Sequence, residues 1–299
     1  MTVTLPVVTG SVRAADLADP GEVRRLDDYV AAHPEAELFH RPQWSRAVER
    51  GCRQRSHYLV AEDGRSRLTG CLPLTEVRSR LFGNALVSVG FATGGGVLAD
   101  DALAADRLAR AGWELAERLG CPTIELRGGA LPEGWPIKDG VYAGFVKDLP
   151  EGDEAIMRAM KRRHRSIRRA LAFELDVRTG RAAGDLDDLC TAYGESVRNL
   201  GSPVYPRALF AAMLDEFGEE ADILTIGREG RALASVLNFY FKGTVTAYWG
   251  GGTAESRDWL ANDLMYYEVM RRASQRGCTR FDFGRSKIGT GAYSYKCNW

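Results

Sequence analysis

Histidine is scarce in this chain, close cysteine pairs are missing and net charge is zero; each shortage removes a class of function. The four histidines, His33, His40, His57 and His164, are scattered, and neither a Ser-His-Asp nor a Cys-His arrangement can be argued from their spacing. Six cysteines (Cys52, Cys71, Cys121, Cys190, Cys278, Cys297) show no metal-ligand spacing, so no metal site is expected, and they read as buried thiols of a reducing compartment. Forty basic residues balance forty acidic ones. Bulk charge therefore offers no argument for nucleic acid, no DNA partner is expected, and a polyanion would have to be held by a local cluster. No apolar run approaches the ~20 residues that span a bilayer, and the first thirty residues lack a basic, apolar, cleavable pattern. A cytoplasmic location is the expectation, with at most transient contact at a membrane surface.

What is present is a repetition. Gly120-Cys121-Pro122-Thr123-Ile124-Glu125-Leu126 is echoed by Gly277-Cys278-Thr279-Arg280-Phe281-Asp282-Phe283, and each copy closes a helical pattern and opens a short strand. Upstream, Glu62-Asp63-Gly64-Arg65 and Arg228-Glu229-Gly230-Arg231 each join two strand-like runs. With 299 residues, 45% of them hydrophobic, the chain is long enough for two cores. A duplicated domain follows, with a cleft between related halves as the expected ligand site.

Periodicity predicts helices over 22–32, 43–51 and 103–119, with strands over 56–62, 68–78, 85–90 and 123–127. The order recurs as helices over 185–199, 207–217 and 260–275 and strands over 222–228, 232–241, 244–250 and 280–283. Helix-helix-strand-strand-strand-helix-strand resembles the GNAT acyltransferase fold, so the chain is expected to be α/β (α+β) with two tandem GNAT-like domains. Their limits are placed at 1–148 and 181–299, with a basic linker helix over 149–180.

That linker carries the one strong charge cluster, Arg158 to Arg169. Ile156, Met160, Ile167 and Leu171 fall on one helical face, while Arg158, Arg162, Arg165 and Arg169 line another. Two readings fit: a solvated helix bridging the domains, or a phosphate-binding face built from guanidinium groups.

The densest chemistry lies at the C-terminal end. Phe281-Asp282-Phe283-Gly284-Arg285-Ser286-Lys287 leads into a glycine-containing loop and then Tyr293-Ser294-Tyr295-Lys296. Together with the Arg-rich helix and Ala247-Tyr248-Trp249-Gly250-Gly251, these pieces resemble the FemAB family of peptidoglycan-bridge aminoacyl transferases, and its subgroup associated with PEP-CTERM/exosortase and exopolysaccharide loci. The resemblance implies transfer of an aminoacyl or acyl group to an amine of a peptidoglycan or exopolysaccharide precursor. It implies no cofactor beyond the donor, aminoacyl-tRNA or acyl-CoA. The family's aromatic-lysine pair falls on Tyr295 and Lys296; Lys296 would face a phosphate or a developing oxyanion, worth roughly 3 kcal/mol. Asp282 would orient the attacking amine or pair with Arg285. Arg285, Lys287, Tyr248, Trp249, Asn238, Tyr240, Arg162, Arg165 and Arg169 are the candidate substrate contacts.

Two features depart from the family's pattern. Cys297 stands where a second basic residue is usual, and relatives continue through further strands beyond the position of Trp299: either the chain is trimmed, with an open sheet edge or a partner chain expected, or the last part of the sheet is missing. A conventional acyl-CoA transferase is the alternative. Its pyrophosphate turn would fall at Arg257-Asp258-Trp259-Leu260-Ala261-Asn262, where Leu260 and Asn262 replace two glycines. A third reading is a non-catalytic binding or assembly factor for envelope polysaccharide.

Overall fold

The computed structural model describes residues 10–79, 83–130, 132–199 and 201–299. The chain divides into two compact units, Met1–Ile137 and Lys138–Trp299.

In the first unit, β1 (Ser11–Ala14), α1 (Pro20–Ala32), α2 (Pro42–Cys52), β2 (Arg55–Glu62), β3 (Leu68–Ser79), β4 (Gly83–Ser88), β5 (Leu98–Ala99), α3 (Ala102–Arg118) and β6 (Ile124–Glu125) follow one another. The sheet runs β1-β2-β3-β4-β6, with β5 also paired to β3. Leu108 and Ala109 of α3 pack on Leu72, Leu74 and Leu86 of the sheet. Gly94, Gly95 and Gly96 serve close packing: Gly95 N–H donates to Glu37 at 2.9 Å. A Cβ on Gly94 would run into the Glu37 carboxylate, and one on Gly96 into the Gly128 carbonyl.

The second unit comprises β7 (Tyr142–Asp148), α4 (Asp153–Ala159), α5 (His164–Leu171), β8 (Asp176–Gly180), α6 (Ala183–Asn199), α7 (Arg207–Phe217), β9 (Ala221–Arg228), β10 (Arg231–Phe241), β11 (Thr244–Gly252), α8 (Ala261–Gln275), β12 (Arg280–Lys287) and α9 (Gly291–Lys296). Its sheet order is β7-β12-β11-β10-β9-β8. Val269, Met265 and Met270 of α8 pack on Val236, Val245 and Ala247. Phe210 and Phe217 of α7 meet Trp249 and Phe239 on a second set of ring contacts.

The heptapeptide repeat has a physical origin. Gly120 and Gly277 take left-handed φ of 66° and 78° just past a helix end, a conformation glycine adopts without steric cost. In both copies the next N–H reaches back across the last turn: Cys121 to Ala116 and Cys278 to Ala273, each at 2.9 Å. The strand that follows is parallel in both cases, β6 to β4 and β12 to β11. Residues Glu62–Arg65 and Arg228–Arg231 likewise sit in the β2/β3 and β9/β10 hairpins.

Three expectations need correction. The strand over 142–148 belongs to the second sheet, where it pairs antiparallel with β12 and covers the edge expected to be open. The first unit accordingly closes at Ile137 rather than at 148. The basic linker is two helices, broken at Met160–Arg163, and it docks within the second unit: Ile156, Met160, Ile167 and Ala170 are buried in that unit's core while Leu171 is 41% exposed. Among the cysteines, Cys71, Cys121 and Cys278 are buried, Cys52 and Cys190 are partly so, and Cys297 is exposed. No helix among the described residues is long and apolar enough to cross a membrane.

Candidate functional site

In the second unit β11 and β12 run parallel, but their ladder lasts only three pairs, Thr244↔Arg280, Val245↔Phe281 and Thr246↔Asp282. Beyond Thr246 and Asp282 no further pairs form. Both strands are irregular there: on β11 Tyr248 bulges, since Leu237↔Trp249 is followed by Asn238↔Ala247, and β12 is kinked as well. Asp282 accepts the Gly284 N–H at 2.7 Å, Gly284 takes φ +69°, and the register against β7 slips between Asp282 and Arg285. A bulge of this kind bends a strand out of its ladder. A cavity of about 500 Å³ fills the gap, walled by Tyr248 and Gly250–Gly252 of β11, Phe283, Arg285 and Ser286 of β12, Asn262 and Tyr266 of α8, Ser196 and Asn199 of α6, and Tyr295 and Lys296 of α9. Every lining residue belongs to the second unit. A smaller cavity of about 170 Å³, beside Arg13, His57 and Arg118, lies in the first unit.

The glycines of β11 let helices approach. A Cβ on Gly251 would collide with Ser196 of α6, and one on Gly252 with Ser256 and Asn262. They bring α6 and the start of α8 against the cavity wall.

Lys296 is held by the main chain. Its Nζ donates to the Phe283 carbonyl at 2.5 Å and to the Arg285 carbonyl at 3.3 Å. Burial pushes its pKa down to about 8, with Asp282 acting in the opposite direction. Tyr295 donates its hydroxyl to Asp263 at 2.6 Å, and burial, then the Asp263 charge, hold its pKa well above the ordinary value. The Arg163 guanidinium lies over the Tyr295 ring at 4.2 Å. The structure therefore presents an amine-type cation and an immobile phenol on one wall, with Arg285 and Arg257 also lining the cavity. Such a wall suits an anionic or oxyanion-forming substrate.

The candidate contacts divide by location. Tyr248 and Arg285 line the cavity with Tyr295 and Lys296; Arg285 is also stacked on Tyr142 at 4.5 Å. Asp282 is not among the lining residues; its carboxylate is spent on the Gly284 N–H, and burial raises its pKa. Its proposed partner Arg285 stacks elsewhere. Trp249 is buried among Phe210, Phe239 and Tyr205. Asn238 and Tyr240 both donate to Asp222, the former at 3.1 Å, the latter at 3.1 and 3.2 Å. That buried carboxylate also accepts from Arg272 at 2.9 Å and Arg276 at 3.4 Å. Lys287 is exposed at the end of β12. Arg162, Arg165 and Arg169 are exposed on the α4/α5 segment, with Arg162 reaching Asn298 at 3.4 Å.

Sequence reasoning missed Arg163, Asp263 and Tyr266. For Arg163 a signal existed: positions 156, 160, 163, 167 and 170 follow the i, i+4, i+7, i+11, i+14 stripe, so an arginine sits where the helical period demands a buried residue. At the start of α8, Leu260 adopts a left-handed φ of 53°. The turn thus keeps the backbone that a glycine would favour, at a strain of roughly 1–2 kcal/mol.

Comparison with known proteins bears on the fold. Residues 157–297 match the family model of an acetyltransferase (GNAT) domain. No curated protein matches the chain. Among solved structures, FemX aligns over 92% of this chain and 91% of its own at 14% identity and a TM-score of 0.69. A conserved protein of unknown function from Bacteroides thetaiotaomicron aligns over 97% and 95% at 12% identity and a TM-score of 0.60. A tandem GNAT protein from the clavulanic acid biosynthesis pathway aligns over 97% and 94% at 14% identity and a TM-score of 0.57. At these identities the likeness is one of fold: two GNAT-like domains in tandem, as the repeated order of elements implied.

Proposed function

We propose that the second unit catalyses acyl transfer to an amine, with an aminoacyl or acyl ester as donor and an amine-bearing peptidoglycan or exopolysaccharide precursor as acceptor. The observation that carries this reading is the Lys296 ammonium, fixed by two carbonyls on the wall of a cavity opened between parallel strands. In the step itself the acceptor nitrogen attacks the ester carbonyl, the carbonyl oxygen gains negative charge facing Lys296, the bond to the leaving oxygen of the tRNA ester (or to the leaving sulfur of acyl-CoA) breaks, and the nitrogen releases its proton to that departing atom. A neutral amine attacking an activated ester needs less help than water does, so the want of a histidine base is tolerable. Tyr248 and Arg285 would contact the substrate, and Tyr295 would hold Lys296 in place.

For the donor, aminoacyl-tRNA is the first choice. Arg158, Lys161, Arg162, Arg165, Arg168 and Arg169 are exposed, and no acidic residue stands between Glu154 and Glu174. Such a face suits phosphates. Acyl-CoA remains the second reading on one observation, the glycine-like backbone of Leu260 ahead of α8. Incubating the protein with charged tRNA and, separately, acyl-CoA against amine-bearing envelope precursors decides between them by the mass gained on the acceptor. Acceptor bound but unmodified with every donor would instead favour a binding or assembly factor.

A further inference from the structure

The run of basic residues contributes one member to the cavity's construction rather than to its surface. The break between α4 and α5 leaves Arg163 on the inward stripe, 19% exposed at the side chain, where its fork reaches two partners. One amino group meets the Asp263 carboxylate at 3.4 Å and the other the Tyr295 carbonyl at 3.2 Å. Its Nε–H is buried without a partner, so the group accepts a cost to be there. Asp263, in the first turn of α8, accepts the Tyr295 hydroxyl through its other oxygen.

Residue 295 is therefore gripped at both ends, by its carbonyl and by its hydroxyl, while the guanidinium covers its ring. The next residue in the chain is Lys296. A six-residue helix such as α9 has no stability of its own, and adjacent Cα atoms are fixed about 3.8 Å apart, so what holds Tyr295 also sets where Lys296 begins. We propose that Arg163, Asp263 and Tyr295 form a clamp that positions Lys296 against the cavity wall. The clamp deepens the transfer reading, since it rests on Lys296 as that reaction's cation; Arg163 and Asp263 are positioning residues in it.

The test uses the full chain and needs no substrate. Trace acetylation with acetic anhydride from pH 6 to 11, read by mass spectrometry on the Lys296 peptide with exposed Lys138 as reference, reports the titration midpoint of Lys296. Groups facing that ammonium are Asp282 on β12, the Phe283 and Arg285 carbonyls, and the Phe145 ring on β7. Through space, removing the Arg163 cation would raise the midpoint and removing the Asp263 anion would lower it. Released from its seat, Lys296 would move toward the ordinary 10.5 from about 8 in either case. The expected result is an upward shift of at least ~1 pH unit in both Arg163→Gln and Asp263→Asn, repeated in the charge-neutral Tyr295→Phe, which keeps the ring and stands in if the others fold poorly. Shifts of opposite sign, or a midpoint unmoved in all three, overturn the clamp. Should no donor and acceptor give product, the transfer reading falls while the titration result stands by itself.

Discussion

Replacing Lys296 with Met separates what the ammonium does for the fold from what it does for chemistry. The side chain is held charged in a partly dry seat, and the distance between its ordinary pKa of 10.5 and about 8 corresponds to a cost of about 3 kcal/mol at neutral pH. Hydrogen bonds to the Phe283 and Arg285 carbonyls, which the amine can donate whether charged or neutral, contribute roughly 0.5–1.5 kcal/mol each, and Met gives up both together with the burial cost. At pH 7 the variant should therefore unfold within about 2 kcal/mol of the parent. The pH dependence is sharper. Because the folded pKa is depressed, the unfolded chain holds the proton longer between pH 8 and 10.5, and the parent gains stability as pH rises through that window. Met carries no proton and gains nothing. From pH 7 to pH 10 the parent should gain about 2–3 kcal/mol on the variant, read from urea unfolding of both chains at each pH. A difference independent of pH would mean the lysine is solvated and the seat misread. Transfer should fall roughly 100-fold in the same variant, the equivalent of about 3 kcal/mol.

Other consequences are simpler to state. Gly251→Ala drives a Cβ into Ser196 and should cost about 1–3 kcal/mol in chemical unfolding, with α6 pushed off the cavity; an unchanged midpoint would contradict that packing. Gly284→Ala meets nothing within 4 Å, so its expected loss of roughly 1 kcal/mol is backbone strain at φ +69° alone. Burial raises the Asp282 pKa, so its contribution is present below the ordinary carboxylate value and is lost as pH rises through the raised one. Asp282→Asn, which can still accept the Gly284 N–H, should therefore gain on the parent between pH 4 and pH 7, and a constant difference would deny the burial.

How much was legible differs along the chain. The meander strands and the long helices carry their own period, and α7 lies where the apolar spacing puts it, at Arg207–Phe217. The edge strands β7 and β8 were not read, because an edge needs no continuous apolar face: β7 alternates only between partly buried and exposed positions, and β8 is largely exposed. The break at Met160–Arg163 was hidden for a related reason, since the run has good helical spacing throughout and only the tertiary demand for Arg163 at Asp263 and Tyr295 distinguishes it. At the site, the Tyr295–Lys296 pair was visible beside a glycine-rich loop, whereas Asp263 reads as an ordinary acidic residue in a helix's first turn. The assignment of Asn238 and Tyr240 to the groove rested on strand position alone; Asp222, from the neighbouring strand, draws both to itself.

The most direct measurement is the mass of an amine-bearing envelope precursor after incubation with the full chain and an activated aminoacyl or acyl donor. The account predicts that the acceptor gains the mass of one acyl group, and that Lys296→Met, folded to the same extent, leaves it almost unmodified. Equal product from the Lys296→Met variant, or no mass gain with either class of donor, would contradict it.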